Sequence, residues 1–262
     1  MRRPNTFLDS PVPLAFAHRG GVAYPPNAGI ENSLAAFGNA VDLGYRYVET
    51  DARASADGVV YAFHDARLDR VTDRTGALAE LRAEQIDEAR IGGREPIPRL
   101  SELLARFEDL RVNIDVKDMA SIEPTVAAIR RAGAEDRVCL ASFSHRRLRE
   151  VRRLAPRLAT SASPPEVARV VAHPWHVLRR VRGLGACCVQ VPVRSGPLRV
   201  VTRRFVDSAH DLGLQVHVWT VDDPEEIGHL LDLGVDGIMT DRIDVLRDVL
   251  VDRDQWTGRT QG

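Results

Sequence analysis

Lysine is almost missing from this chain. Of its 36 basic side chains only Lys117 is a lysine. An ammonium is a compact point charge and a guanidinium is a planar fork, so a position that stays lysine is a candidate for a small charged site. Cysteine is scarce as well. Cys139, Cys187 and Cys188 are odd in number and sit in apolar runs. They exclude a disulfide-built scaffold and read as buried, reduced thiols, which points to a cytoplasmic setting. No Cys-x-x-Cys spacing occurs, which argues against zinc. No apolar run is long enough to span a bilayer, so no transmembrane segment is expected. The basic start Met1-Arg2-Arg3 leads into no signal-like apolar stretch. A surplus of positive charge is also lacking. The formal net charge is −1, which argues against a nucleic-acid partner held by bulk charge.

What is present is a repeating alternation. The 262 residues, 44% of them apolar, suffice for one large α/β domain. Leu14 to Ala17 reads as a strand, Glu31-Asn32-Ser33 opens a helix, and Tyr47 begins the next strand. Ala56-Asp57-Gly58 is a turn signal, and Val59 to Phe63 returns to deliver His64 and Asp65. Residues 65–98 break the rhythm and read as a small insertion with a short helix over Leu81 to Glu88. Strands are then expected at Arg111 to Lys117, Val138 to Phe143, Arg157 to Ser163, Cys187 to Val193, Leu214 to Val221 and Gly237 to Thr240. Helices lie between them, among them Arg199 to Leu212. Without the return strand this gives eight strands, hence a (β/α)8 TIM barrel with a core over about 14–251 and a short insertion after the second strand. A doubly wound sheet is the alternative, but no Gly-x-Gly-x-x-Gly follows the first strand.

In a barrel the reacting groups gather where strands end. Glu49 and Asp51 lie two apart in a strand and share a face, as do Asp115 and Lys117. Buried together, three carboxylates repel one another, and a hard cation with oxygen ligands relieves that repulsion. Mg²⁺ or Ca²⁺ suits such ligands. His18 and His64 can divide proton acceptance and donation. Arg19 and Lys117 can balance negative charge that develops on an anionic ester. Taken alone, an acidic strand face is a solvated face, a lone histidine is structural, and Trp219 is as readily core as pocket.

The ordered set His18-Arg19-Gly20, Glu31-Asn32-Ser33, Glu49-x-Asp51, Asp57-Gly58, His64-Asp65, Asp115-x-Lys117, Trp219-Thr220-Val221 and Gly234 to Asp241 resembles the glycerophosphodiester phosphodiesterase family. The resemblance runs from Ala17 to about Val249. It implies a metal-dependent hydrolase that cleaves glycerophosphodiesters to glycerol phosphate and an alcohol. It implies His18 and His64 as the acid–base pair, and Glu49, Asp51 and Asp115 as ligands of one divalent cation, with Mn²⁺ a further choice. Arg19 and Lys117 would hold the phosphate, Trp219 would line the pocket, and Glu31, Asn32 and Asp65 would support from behind. Three departures stand out. The Val22–Gly29 loop is long and was expected to bear on the pocket mouth. Asp115 replaces a usual Glu. Asp222 replaces a usual Asn, with an expected effect on head groups. A lysophospholipase-D-like enzyme and an inactive phosphate-binding barrel are the alternatives. Trp175, Leu178, Arg179 and Arg180 could touch a membrane surface, although a solvated helix with one core Trp is the preferred reading.

Overall fold

The computed structural model describes residues 6–172 and 185–258. The alternation read from the sequence closes into a barrel. Its strands are β1 (Leu14–His18), β2 (Tyr47–Ala54), β3 (Val60–Ala62), β4 (Arg111–Val116), β5 (Val138–Ala141), β6 (Ala159–Thr160), β7 (Cys188–Pro192), β8 (Gln215–Trp219) and β9 (Gly237–Thr240). Eight of them are parallel, in the order β6-β5-β4-β2-β1-β9-β8-β7, and β3 lies antiparallel on β2. The seam closes where the Ala162 amide donates to the Cys188 carbonyl at 2.8 Å and the Cys187 amide donates to Thr160 at 2.9 Å. The eight-stranded parallel barrel expected from the sequence is therefore what forms.

The described helices are α1 (Leu34–Asp42), α2 (Ala83–Asp87), α3 (Leu100–Arg106), α4 (Ile122–Arg131), α5 (His145–Leu154), α6 (Pro164–Ala172), α7 (Arg203–Asp211), α8 (Pro224–Asp232) and α9 (Ile243–Asp252). Ser33, Ser144, Thr202 and Asp223 cap α1, α5, α7 and α8 by accepting from a backbone amide of the first turn. Helix α7 starts later than the expected Arg199. Arg194–Ser195 and Leu198–Arg199 pair as a small hairpin, and the cap at Thr202 sets the helix start. Trp175, Leu178, Arg179 and Arg180 fall outside the described residues.

Two apolar layers follow from strand alternation. Val48, Val112, Ile114, Leu140, Val189 and Val216 face the helices. Phe16, Tyr47, Cys139, Cys188 and Met239 fill the barrel interior. Residues 65–98 carry a small core of their own. Leu68, Leu78, Ile86, Ile91 and Ile97 pack on Tyr61 and Phe63 of the return segment. Its apolar residues are too irregularly spaced to show as a helical or strand period, yet they converge. Tyr61 adds a phenol hydrogen bond of 2.7 Å to Asp87, which also pairs with Arg99.

The turn after β1 is tight. Gly20 has φ +89°, and a Cβ there would lie 2.8 Å from the Ala36 Cβ and 3.0 Å from its backbone carbon. Both the conformation and the contact require glycine. Gly20→Ala is expected to destabilise the protein by about 1–3 kcal/mol. A urea titration of the two proteins measures it, and an unchanged midpoint would refute the steric reading.

Candidate active site

The register brings the polar rim together. His18 pairs across the sheet with Glu49, and Asp51 with Asp115. His64 arrives on the return segment beyond β3, and Lys117 directly follows β4. All of them, with Arg19 and Trp219, line one cavity of about 630 Å³ at the carboxyl ends of the strands. This is where a parallel barrel carries its functional groups.

Each histidine is held by one carboxylate. His18 Nδ1 lies 2.7 Å from Asp241 Oδ1, and His64 Nδ1 lies 2.6 Å from Asp65 Oδ1. An ionised carboxylate only accepts, so each Nδ1 carries the proton and each Nε2 is left free for chemistry. Burial opposes charge on His18. The hydrogen bond to Asp241 and the charges of Glu49 and Asp241 outweigh it, so its pKa rises above the usual 6.5. Burial likewise opposes charge on Asp65, but Arg70 and His64 draw its pKa down to about 2.

The three strand carboxylates are buried and unequal. Glu49 is desolvated and repelled by Asp51, and its pKa is pushed from 4.5 up to about 7. Asp51 is as deeply buried, yet Lys117 and Arg19 hold its pKa below the usual range. Burial raises the Asp115 carboxyl despite Lys117. Lys117 Nζ bridges the last two, 2.8 Å from Asp51 Oδ1 and 2.7 Å from Asp115 Oδ2. The Phe143 ring lies 5.9 Å from the same ammonium. Arg19 Nε is 3.2 Å from Asp51 Oδ2 without hydrogen-bond alignment, and Arg19 Nη1 reaches Glu31 at 3.3 Å.

Of the supporting residues, Asn32 donates to Asp51 Oδ2 at 3.1 Å and accepts from Thr50 at 2.8 Å. Its φ of +60° and the +50° of Arg19 mark a constrained loop, one that Asn tolerates better than most residues. Glu31 and Asp65 are joined by Arg70, which donates to Glu31 Oε1 at 2.7 Å and to Asp65 Oδ2 at 2.5 Å. The sequence reading passed over Arg70, because it sits in the insertion with no motif around it. Asp241 was quoted only as the end of a strand signature, and its contact with His18 spans 223 residues.

Two of the departures sit outside the cavity. None of Val22–Gly29 lines the cavity. Asn27 fastens that loop away from it by donating to the carbonyl oxygens of Gly20 and Gly21 at 2.8 and 3.2 Å. Asp222 does not line the cavity either. Its Oδ1 accepts from Thr240 Oγ1 and the Asp241 amide, both at 2.8 Å, so it shapes the loop that presents Asp241. His217 is a buried interior residue, against Phe16 and within 3.0 Å of Gln215 Oε1.

A divalent cation fits these residues on one specific observation. Glu49 Oε2 and Asp115 Oδ1 are buried carboxylate oxygens with no hydrogen-bond partner. Orphaned anionic oxygens in a desolvated site are costly, and a hard cation relieves them. The three carboxylates do not crowd into a preformed cage. Among the described residues the trio of candidate ligands within 4.8 Å of one another is made of cysteines instead. Lys117 stands between two of the acids, so cation and ammonium compete for the same oxygens.

The model of the Glycerophosphoryl diester phosphodiesterase family matches residues 18–245. A relative from Mycobacterium tuberculosis, named "Probable glycerophosphodiester phosphodiesterase 2", is 42% identical over 94% of this chain and 93% of its own. A glycerophosphodiester phosphodiesterase from Caldanaerobacter subterraneus is 29% identical over 87% of this chain and 93% of its own. A solved structure from Silicibacter pomeroyi superposes with a TM-score of 0.78 at 27% identity, covering 94% of this chain and 95% of that one.

The buried acid makes stability depend on pH. Folded Glu49 keeps its proton to about pH 7, while the unfolded chain loses it near 4.5. Stability therefore falls as pH rises from the lower value through the higher one, by at most roughly 3 kcal/mol. His18 acts in the same direction, since its stabilisation is present below 6.5 and lost as pH rises through its raised pKa. Thermal unfolding of chelator-treated protein should show Tm dropping between about pH 5 and 8. Saturating Mg²⁺ should flatten that drop, as should Glu49→Gln in part. A flat profile without metal would contradict the placement of Glu49.

Proposed function

The chain belongs to the glycerophosphoryl diester phosphodiesterase family, and from that premise we propose that it hydrolyses glycerophosphodiesters to glycerol phosphate and an alcohol. The observation that carries this reading is the pair of carboxylate-held histidines lining one cavity with a buried acidic rim. Glu49, Asp51 and Asp115 would hold one divalent cation, Mg²⁺, Ca²⁺ or Mn²⁺. A cation there supplies Lewis-acid neutralisation of phosphoryl charge.

The remaining roles fall to side chains of this chain. His18 sits where its imidazolium is favoured, so it donates a proton through Nε2 to the departing oxygen. His64, with Nδ1–H fixed by Asp65, presents a basic Nε2 to the attacking hydroxyl. That attacker is a neighbouring hydroxyl of the substrate, followed by water on the cyclic phosphate. Arg19 and Lys117 face the phosphate as positive charges. Arg70 keeps Glu31 and Asp65 in place, and so orients His64 indirectly. Trp219 and Phe143, whose rings meet edge-on at 5.6 Å, form the wall that receives the alcohol group.

One observation favours a second substrate class. Phe143 is 63% exposed and Val171 is 42% exposed on the wall of the cavity. Such apolar surface suits the acyl chain of a lysophospholipid. Dispersed lysophosphatidylcholine assayed beside glycerophosphocholine separates the two. The free thiols of Cys139, Cys187 and Cys188 support a reducing, cytoplasmic setting.

Glycerol phosphate release from glycerophosphocholine tests the activity directly. Chelation should abolish it and added divalent cation should restore it. His18→Ala and His64→Ala should each lower kcat by roughly a hundredfold or more while the fold survives. Full turnover in either variant would remove that histidine from the mechanism. Lys117→Arg keeps the charge but brings a longer, planar group into a gap bounded by two carboxylates and a ring. A large loss in kcat is expected, and unchanged kcat and KM would take Lys117 out of the site.

A further inference from the structure

We propose that Cys139, Cys187 and Cys188 form a second metal site, a buried three-thiolate centre for one soft d¹⁰ ion such as Cu⁺, Zn²⁺ or Cd²⁺. Their sulfurs lie within 4.8 Å of one another, with Cys187 and Cys188 Sγ 3.9 Å apart. A metal bonded to sulfur at about 2.3 Å holds its sulfurs roughly 3.8–4.0 Å apart in tetrahedral or trigonal geometry. The cluster needs only small adjustments to meet that spacing.

The sequence spacing argued against zinc because it compares residues along the chain. The barrel brings the cysteines together across it. Cys139 pairs with Ala159 of β6, and Cys188 bridges to Ser161 just beyond the same strand. One strand, β6, therefore stands between them. Adjacent residues in a strand point to opposite faces, so neighbouring cysteines ordinarily diverge. Here Cys187 precedes β7 and turns its sulfur toward its neighbour. Its amide and its thiol both approach the Thr160 carbonyl, at 2.9 and 3.5 Å.

The surroundings select a soft ion. Cys139 and Cys188 are fully buried, and Cys187 is half-buried at the amino-terminal end of β7. Phe7, Phe16, Tyr47 and Met239 pack around them. Among the described residues no carboxylate or imidazole joins the trio within the same reach. Three thiolates without an oxygen ligand favour thiophilic ions over Mg²⁺ or Ca²⁺. Arg152, anchored at 3.0 Å to both Thr160 Oγ1 and the Ser161 carbonyl, brings positive charge to the same seam. On binding, each S–H bond is replaced by an S–metal bond and its proton passes to solvent. No electron is transferred.

The cluster does not line the catalytic cavity. Its occupancy is therefore measured apart from phosphodiesterase turnover. Reduced, chelator-stripped full-length protein is titrated anaerobically with Cd²⁺, and with Cu⁺ delivered from a competing chelator. A thiolate-to-metal absorption band saturating at one ion per chain, with a raised Tm, is the expected result. Cys139→Ser and Cys188→Ser should remove the band and leave Mg²⁺-supported hydrolysis unchanged. X-ray absorption of the wild-type Cd²⁺ complex decides the ligands without any variant. A shell of sulfur supports the site, whereas an oxygen shell, or failure of both ions to bind, overturns it.

Discussion

Three carboxylates buried on two neighbouring strands are the constraint to which the rest of the rim answers. Parallel register sets Asp51 beside Asp115, and alternation sets Glu49 on the same face. None of them can be desolvated cheaply, and together they repel. The chain meets that cost unevenly. Asp51 receives a lysine, an arginine contact and an amide. Asp115 shares the lysine, and Glu49 has the edge of His18 at 3.7 Å. The most poorly compensated acid is the one whose pKa is pushed furthest up, and a perturbed carboxyl in a cleft marks a candidate functional site.

The two histidines are then positioned by relays from the barrel wall inward. Asp222 fixes the Thr240–Arg242 loop, that loop presents Asp241, and Asp241 fixes the His18 ring. On the other side Glu31 holds Arg70, Arg70 holds Asp65, and Asp65 fixes His64. Each histidine thus hangs from a carboxylate that is itself held, one from β9 and one from the insertion. The small apolar core of residues 65–98 gains a purpose from this. It gives Arg70 a firm base from which to reach across to Glu31, and so ties the loop after β1 to the segment after β3.

The barrel was legible because period and order survive in one sequence. Apolar alternation, helix caps and stops mark each unit, and the residues at strand ends are chemically unusual. His18, Glu49, Asp51, Asp115 and Lys117 could be grouped because a strand of known face needs only local spacing. What stayed hidden depends on partners distant along the chain. Asp241 meets His18 across 223 residues, and Arg70 meets Glu31 across 39. The bonding of Asp222 was hidden for a related reason. A charged residue after a strand looks as though it points into the pocket, whereas its oxygen is consumed by backbone amides behind it.

The same reasoning explains why one barrel interior can hold two donor sets of opposite character. Alternation places every second residue inside, so each strand contributes an upper and a lower layer. The upper layer of β2 and β4 carries oxygen ligands beside the wet mouth. The lower layer of β5 and the start of β7 carries sulfur among aromatic rings. Hard cations keep water and oxygen, while soft cations give up water for thiolate. Solvation and ligand softness would therefore sort bound ions by depth. The arrangement also explains the single lysine. Near the oxygens a mobile ammonium can stand between carboxylates and yield to a cation, and a guanidinium locked in paired hydrogen bonds would not.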